Sequence, residues 1–421
     1  MAQGQYVVSC GASVPISPQG GSGTANSTAS TGGSSFELVP SMCVAERFDT
    51  NVYYKPPVPG LQRQDFVTTV NPMLRVNHNG EYASGFLSVG GYRETYINNP
   101  ALNYFGTNGT LSLNLDPSIK KLLPNASLRL TDMFTYTPLP PGFVNPAAGT
   151  SPDASPQNIY AQGFLGYRTN NVINNGTVST AYATTESTSL NASYSYAVIR
   201  FGSAASTQGL SLFNSTTQIG TVGGAAQLSR LDTLNIRYAY TQTEFTPSSS
   251  TSRSPSSSFI IQNPTIGWER VLTPNLTAQL GGGGILISSR ALTYSVNVAL
   301  IMNSLNNSAT INYSHTAFPG IAGRSSGGIL IGDVFSLSAI QRINQHWQLA
   351  ERASYAHTSG ASSNPVTYDS FAVGGEIQYW MTSIWSTSLS YTYTKFSNEL
   401  GSVKTDFDRQ VIALSVIATW E

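Results

Sequence analysis

Charge is what this sequence has least of. Of 421 residues only 10% are Asp, Glu, Lys or Arg, against about a quarter in ordinary soluble domains. Positive and negative side chains balance at 21 each, which leaves no basic stripe to track a nucleic-acid backbone. Long apolar runs are missing too. Stretches such as Val298–Met302 fall far short of the roughly 18 residues of a membrane-crossing helix. The closed barrel, which satisfies every backbone group between strands, is then the one route left through a bilayer. Cysteine is confined to Cys10 and Cys43. An even pair beside a Ser/Gly-rich segment suits one disulfide in an oxidising compartment, with two free thiols as the alternative. The opening "MAQGQ" reads as the stump left by signal-peptide cleavage, with a start Met in place of the signal.

In place of charge stand Ser, Thr, Asn, 38 Gly and 22 Tyr. In "IWSTSLSYTYTKF" (384–396), Trp385, Thr387, Leu389, Tyr391 and Tyr393 share one parity, and Ser386, Ser388, Ser390, Thr392 and Thr394 share the other. A side-chain period of two gives a strand with one greasy, aromatic face and one face of small hydroxyls. The pattern recurs. Ile412, Leu414, Val416, Ala418 and Trp420 share a face, as do Leu234, Ile236, Tyr238 and Tyr240 opposite Asn235 and Arg237.

Residues 1–35 are of low complexity ("SPQGGSGTANSTASTGGSS") and read as an irregular N-terminal segment. Residues 36–421 repeat one unit: alternating segment, tight turn, alternating segment, longer polar loop. Tight turns fall at 77–80, 116–125, 186–189, 229–233, 272–275, 305–307, 343–347 and 381–385. With one strand before them (36–54) and one after (406–420), they predict about eighteen strands. Longer loops fall between, the longest at 137–171. This sorting of short and long connections predicts an all-β, transmembrane, antiparallel up-and-down barrel with short periplasmic turns and longer outer loops. Both termini then lie on the periplasmic side of a bacterial outer membrane.

The motifs "ERFDTNVYY" (46–54), "DFVTTVNPMLRVNHNGEYASG" (65–85) and "ASLRLTDMFTYTP" (126–138) carry a resemblance. The chain resembles the outer-membrane β-barrel proteins found with bacterial extracellular-polysaccharide and exosortase loci. That resemblance implies an outer-membrane location and a role in envelope or polysaccharide traffic, and brings no catalytic residues with it. One departure is the end of the chain: barrels usually close on an aromatic, whereas this one ends Trp420-Glu421.

No catalytic or metal constellation emerges. The histidines His78, His315, His346 and His357 are scattered in sequence and read as solvated turn or rim residues. "GGGG" (281–284) lacks the Lys-Ser/Thr and helix of a phosphate loop and reads as a patch of wall where a neighbour packs closely. Asn-x-Ser/Thr triplets, as at Asn108 and Asn306, read as turn chemistry. No enzyme activity and no cofactor are expected. Arg75, Arg129, Arg237, Glu269, Arg352 and Glu376 fall on the lumen parity and are the candidate pore-lining charges. Asp132 and Glu351 fall on the outward parity, where a carboxylate is costly, so each is expected at a bulge, a rim or a subunit contact. The loop at 137–171 holds Phe143, Phe164, Tyr167 and Arg168, candidates for a constriction or a latch.

The function expected is a porin-like channel for passive diffusion of small polar solutes. The alternative is a structural envelope barrel that forms a surface lattice or anchors polysaccharide or another surface protein. A soluble β-protein of a secreted fibre is a third reading. Expected partners are outer-membrane lipid and either further copies of the chain, as a trimer, or a surface protein.

Overall fold

The computed structural model describes residues 35–54, 56–138, 170–202, 213–247, 256–288, 290–320, 328–360, 366–400 and 403–420. Eighteen strands follow one another along the chain. The first six are β1 (Ser35–Asp49), β2 (Asp65–Asn79), β3 (Ser84–Tyr96), β4 (Tyr104–Asn114), β5 (Ala126–Thr137) and β6 (Asn171–Ala183). Next come β7 (Thr188–Phe201), β8 (Phe213–Gln227), β9 (Asp232–Pro247), β10 (Ser257–Thr273), β11 (Leu276–Ile287) and β12 (Arg290–Asn303). The last are β13 (Asn307–Gly320), β14 (Gly328–Arg342), β15 (Trp347–Gly360), β16 (Val366–Trp380), β17 (Trp385–Leu400) and β18 (Val403–Thr419). Each pairs antiparallel with its sequence neighbours, and β1 pairs with both β2 and β18. The sheet therefore has no free edge along its closure, which is what a spanning sheet needs in lipid. Among the described residues no helix is long and apolar enough to cross a membrane.

The connections sort by end. At one end the strands join through turns such as 184–187, 228–231, 274–275 and 343–346, and once through the single-turn helix α1 (Asp116–Ile119). At the other end most connections are longer, and two are not: β11–β12 and β17–β18 each join through two residues. There the ladder runs to the tip, with Ile287 paired with Arg290 and Leu400 with Val403. The N-terminal segment expected at 1–35 and the loop residues Phe143, Phe164, Tyr167 and Arg168 lie outside the described residues, apart from Ser35, which opens β1.

The two faces differ as the alternation requires. In β17 Leu389 and Tyr391 are exposed, while Ser386, Ser388 and Thr394 are buried. The same exposed parity carries Leu234, Ile236, Leu280, Leu300, Ile377, Ile412 and Leu414 round the barrel. Tryptophans mark the short-turn end of this apolar face. Trp385 and Trp420 meet edge to face at 6.5 Å, Trp347 packs on Tyr379 at 4.5 Å, and Trp268 donates Nε1–H to Asp232 at 3.1 Å. A second aromatic row crosses β13–β16 higher up: Tyr313, Phe335, Tyr355 and Phe371 are paired in register. An apolar band between two aromatic girdles is the outer surface of a membrane barrel.

Two interior prolines show how close the strands come. Pro72 of β2 stands opposite Gly91 of β3, next to the Met73–Gly90 pair, and Pro264 of β10 opposite Gly284 of β11, next to the Thr265–Gly283 pair; at both places the ladder skips two pairs. Proline has no N–H to give the neighbour, so the gap is filled by close backbone approach. A Cβ at Gly283 would collide with the Pro264 carbonyl. The glycine run at 281–284 is thus a packing device in the wall.

Candidate functional site: the barrel lumen

The inward parity carries the candidate site. Counted from the short-turn end of its own strand, Arg129 lies three residues in, Arg75, Glu269 and Glu376 four, and Arg237 and Arg352 five. Six residues scattered over three hundred positions thus form one belt, four Arg and two Glu. Their side chains lie along the wall. Arg75 donates to Asn77 Oδ1 at 2.7 Å and stacks on the Phe86 ring at 3.8 Å. Glu269 accepts from Gln279 at 2.9 Å, and Arg352 reaches Thr392 at 3.4 Å. Arg129 is exposed. Glycine makes room for this posture: a Cβ at Gly374, paired with Arg352, would sit 3.0 Å from the Tyr391 carbonyl and 3.3 Å from Arg352 Nε.

At the long-connection end a second charged group sits on the inward face of β18, β1, β2 and β3. Arg47 of β1 reaches across β2 and grips Glu94 of β3 with two hydrogen bonds, 2.7 and 2.6 Å. Tyr96 donates to Glu94 at 2.8 Å. One step round, Arg409 of β18 is bidentate to Asp49, at 2.6–3.1 Å, and lies over the Tyr54 ring at 4.6 Å. Residues 51–54 turn inward to complete the group, which is why β1 stops at Asp49 and does not run to Tyr54. Tyr54 holds φ at 55°, a left-handed conformation costly for a bulky residue and kept by its place under the guanidinium. Glu94 and Asp49 are almost wholly buried, so these pairs close the seam and are not solvated pore charges. Sequence reasoning passed over them. The available hint was that Arg47 and Asp49 share one parity in "ERFDTNVYY" with Cys43 and Ala45.

The same end is apolar elsewhere on the inner face. Ile199, Phe201, Phe213 and Phe245 form one buried cluster with Ile173 and Phe259 beside it. Ile261, Ile285, Ile287 and Ile329 form another across the short β11–β12 tip. Phe396 packs on Phe407 at 5.4 Å, and Tyr368 lies 6.3 Å from Phe396. The belt, by contrast, lies where the wall is Ser, Thr, Asn and Gly.

For the two outward carboxylates the register removes the bulge from the expected settings. Asp132 and Glu351 sit in unbroken register, Asp132 beside Leu111 and Gly176, Glu351 beside Ala339 and Gly375. Neither marks a bulge, and neither is at the end of its strand. Asn174 Nδ2 lies 3.1 and 3.3 Å from the Asp132 oxygens, which offsets part of the cost of an outward charge. Cys43 is wholly buried on the inward parity, and no cysteine among the described residues is a free thiol. Cys10 lies outside them.

No family model matches the chain, and no curated protein sequence matches it. Solved structures do. The chain is similar to OccK2 (OpdF) of Pseudomonas aeruginosa, at 12% identity and a TM-score of 0.44, over 91% of this chain and 98% of that one. It is similar to OccK3 (OpdO) of the same organism, at 9% identity and 0.43, over 91% and 96%. It is also similar to the siderophore receptor PirA of Pseudomonas aeruginosa, at 9% and 0.45, over 91% and 80%. The barrel stands on its own strand ladder, and the exosortase-locus resemblance stays an expectation of the sequence.

Proposed function

We propose that the chain is an outer-membrane, porin-like channel through which small polar solutes diffuse passively. One observation carries the reading: a closed eighteen-stranded barrel whose outward parity is an apolar band between aromatic girdles and whose inward parity holds six charges in a single belt. A barrel of this strand number encloses an aqueous lumen wherever its wall side chains do not fill it. The belt sets a weak field, and its excess of arginine favours anions. In this reading the short turns and both termini face the periplasm, and the long connections face outward. Arg75, Arg129, Arg237, Glu269, Arg352 and Glu376 line the path.

The buried aromatic and isoleucine clusters at the other end favour the second reading, a structural barrel whose mouth is closed and whose outer connections hold other envelope components. Swelling of liposomes that contain the purified chain separates the two. A channel gives swelling rates that fall with the size of an uncharged sugar. Intact, barrel-bearing liposomes that do not swell for any sugar leave the structural reading.

A further inference from the structure

Two of the four histidines, far apart in sequence, come together on the outer face. His315 of β13 pairs in register with Asp333 of β14, Asp333 with His357 of β15, and His357 with Asp369 of β16. The four form one row of alternating imidazole and carboxylate, all on the outward parity. The row lies one outward position beyond the aromatic row Tyr313, Phe335, Tyr355 and Phe371. It also climbs. Counted from the short-turn end, His315 is eight residues in, Asp333 nine, His357 ten and Asp369 eleven. At about 3.3 Å per residue and a tilt near 40°, that places His315 about 20 Å and Asp369 about 28 Å above the turns. A band roughly 25 Å tall ends within that interval. The row therefore crosses the boundary between hydrocarbon and headgroups.

Only His315 is sheltered: Tyr294 of β12 stacks on it at 4.3 Å and 13°, and its side chain is 10% exposed. The other three are open, Asp333 at 40%, His357 at 45% and Asp369 at 42%. Each carboxylate is held from below by a girdle tyrosine. Tyr313 O–H donates to Asp333 at 2.6 Å, and Tyr355 O–H donates to Asp369 at 3.2 Å. Each also lies 2.8 Å from an imidazole Nδ1. An ionised carboxylate only accepts, so Nδ1 carries the hydrogen and Nε2 is the atom that takes up a further proton. The Nε2 of His315 is buried without a partner. Among the described residues no group of three or more His, Cys, Asp and Glu is arranged to hold a metal ion.

The remaining charges facing the row are few. Toward β12 His315 meets the Tyr294 ring. His357 has Asp333 on one side and Asp369 on the other, with Tyr355 below. Beyond Asp369 the outward face continues through Ser397, paired with Asp406, with Lys395, paired with Asp408, one outward position below it and the exposed Glu399 one above. With neutral imidazoles the row carries two negative charges. With both protonated it carries none, and the open His357 presents a charged N–H at Nε2.

We propose that the row His315–Asp333–His357–Asp369 is a lipid contact surface that accepts the anionic headgroups of the surrounding leaflet when its imidazoles are protonated and repels them when they are not. The inference rests on the outer-membrane reading above. Its test is the unfolding midpoint of the full chain, followed by heat-modified gel mobility. The chain is placed in vesicles of zwitterionic lipid alone or with a phosphatidylglycerol fraction, at about pH 5 and about pH 8. The anionic vesicles should raise the midpoint at the acid pH relative to the zwitterionic ones, and lose that advantage at the alkaline pH. The double variant H315Q/H357Q should fold and insert but show no acid-specific gain. D333N/D369N, which removes both negative charges from the row, should lose the disadvantage in anionic vesicles at the alkaline pH and keep the gain at the acid one. An equal acid gain in zwitterionic vesicles, or the same lipid dependence in H315Q/H357Q, overturns the proposal. Failure of the wild-type chain to insert into either vesicle at either pH overturns the membrane reading itself, and the proposal with it.

Discussion

Arg47 and Glu94 clasp each other over the top of β2, guanidinium to carboxylate, through two hydrogen bonds of 2.7 and 2.6 Å with Glu94 wholly buried. The contact joins β1 to β3 on the inward face and skips the strand between them, beside the β1–β18 pairing that closes the barrel. Removing one partner leaves a buried charge alone. Arg47→Met or Glu94→Gln should each destabilise the barrel by about 3–5 kcal/mol, whereas R47M/E94L should recover most of that loss. Urea midpoints in detergent check this; additive losses in the double variant would contradict it.

The face assignment has its own test. Leu389 is 53% exposed on the outward face, and an Arg near the middle of the apolar band costs about 2–4 kcal/mol. The inward comparator needs care. Ser388 is buried and bonded to Ser415 at 2.7 Å, so an Arg there would have to break a packed pair. Ser390, half-buried on the same parity, is the better site. Leu389→Arg should lower the heat-modification midpoint far more than Ser390→Arg; equal shifts would invert the faces.

Gly283 gives a packing prediction. A side chain there must displace the Pro264 carbonyl, so Gly283→Val should cost about 1–3 kcal/mol or prevent insertion. Gly220, where an added Cβ meets nothing within 4 Å, is the control. Folded yields of the two variants in detergent would show the difference, and equal yields would contradict the close approach.

A bond between Cys10 and Cys43 remains the expectation for the cysteines. Thiol labelling of the native chain should modify neither until a reductant is added. Because the loop closed is long, its loss should cost about 3–4 kcal/mol in the chain-entropy picture, and the strand ladder, which owes nothing to residue 10, should survive it. Labelling of both thiols in the native, unreduced chain would end this expectation.

What the sequence disclosed follows from what a period of two can carry. Trp385, Leu389 and Tyr391 announce a face without reference to any partner strand, and turns such as "ESTS" announce where the chain reverses. The barrel was therefore legible, and so was the inward parity of the six candidate charges. Contacts that depend on register were not. Arg47 finds Glu94 only because β1, β2 and β3 align to the residue, and His315, Asp333, His357 and Asp369 form a row only because three successive hairpins share one stagger. Read singly, those histidines were indistinguishable from solvated rim residues. The strand ends were also misplaced where inward packing intervened, as at 50–54, where Val52 and Tyr54 turn into the seam.

Single-channel recording in planar bilayers tests the central claim most directly, because it reads the lumen and the belt together. The wild-type chain should give discrete ohmic steps, and in a salt gradient its reversal potential should lie on the anion side. R129E/R237E, which turns the belt from four Arg and two Glu to two Arg and four Glu, should move that potential to the cation side with the barrel intact. Absence of steps from correctly inserted protein, or a reversal potential that R129E/R237E leaves where it was, would contradict the account.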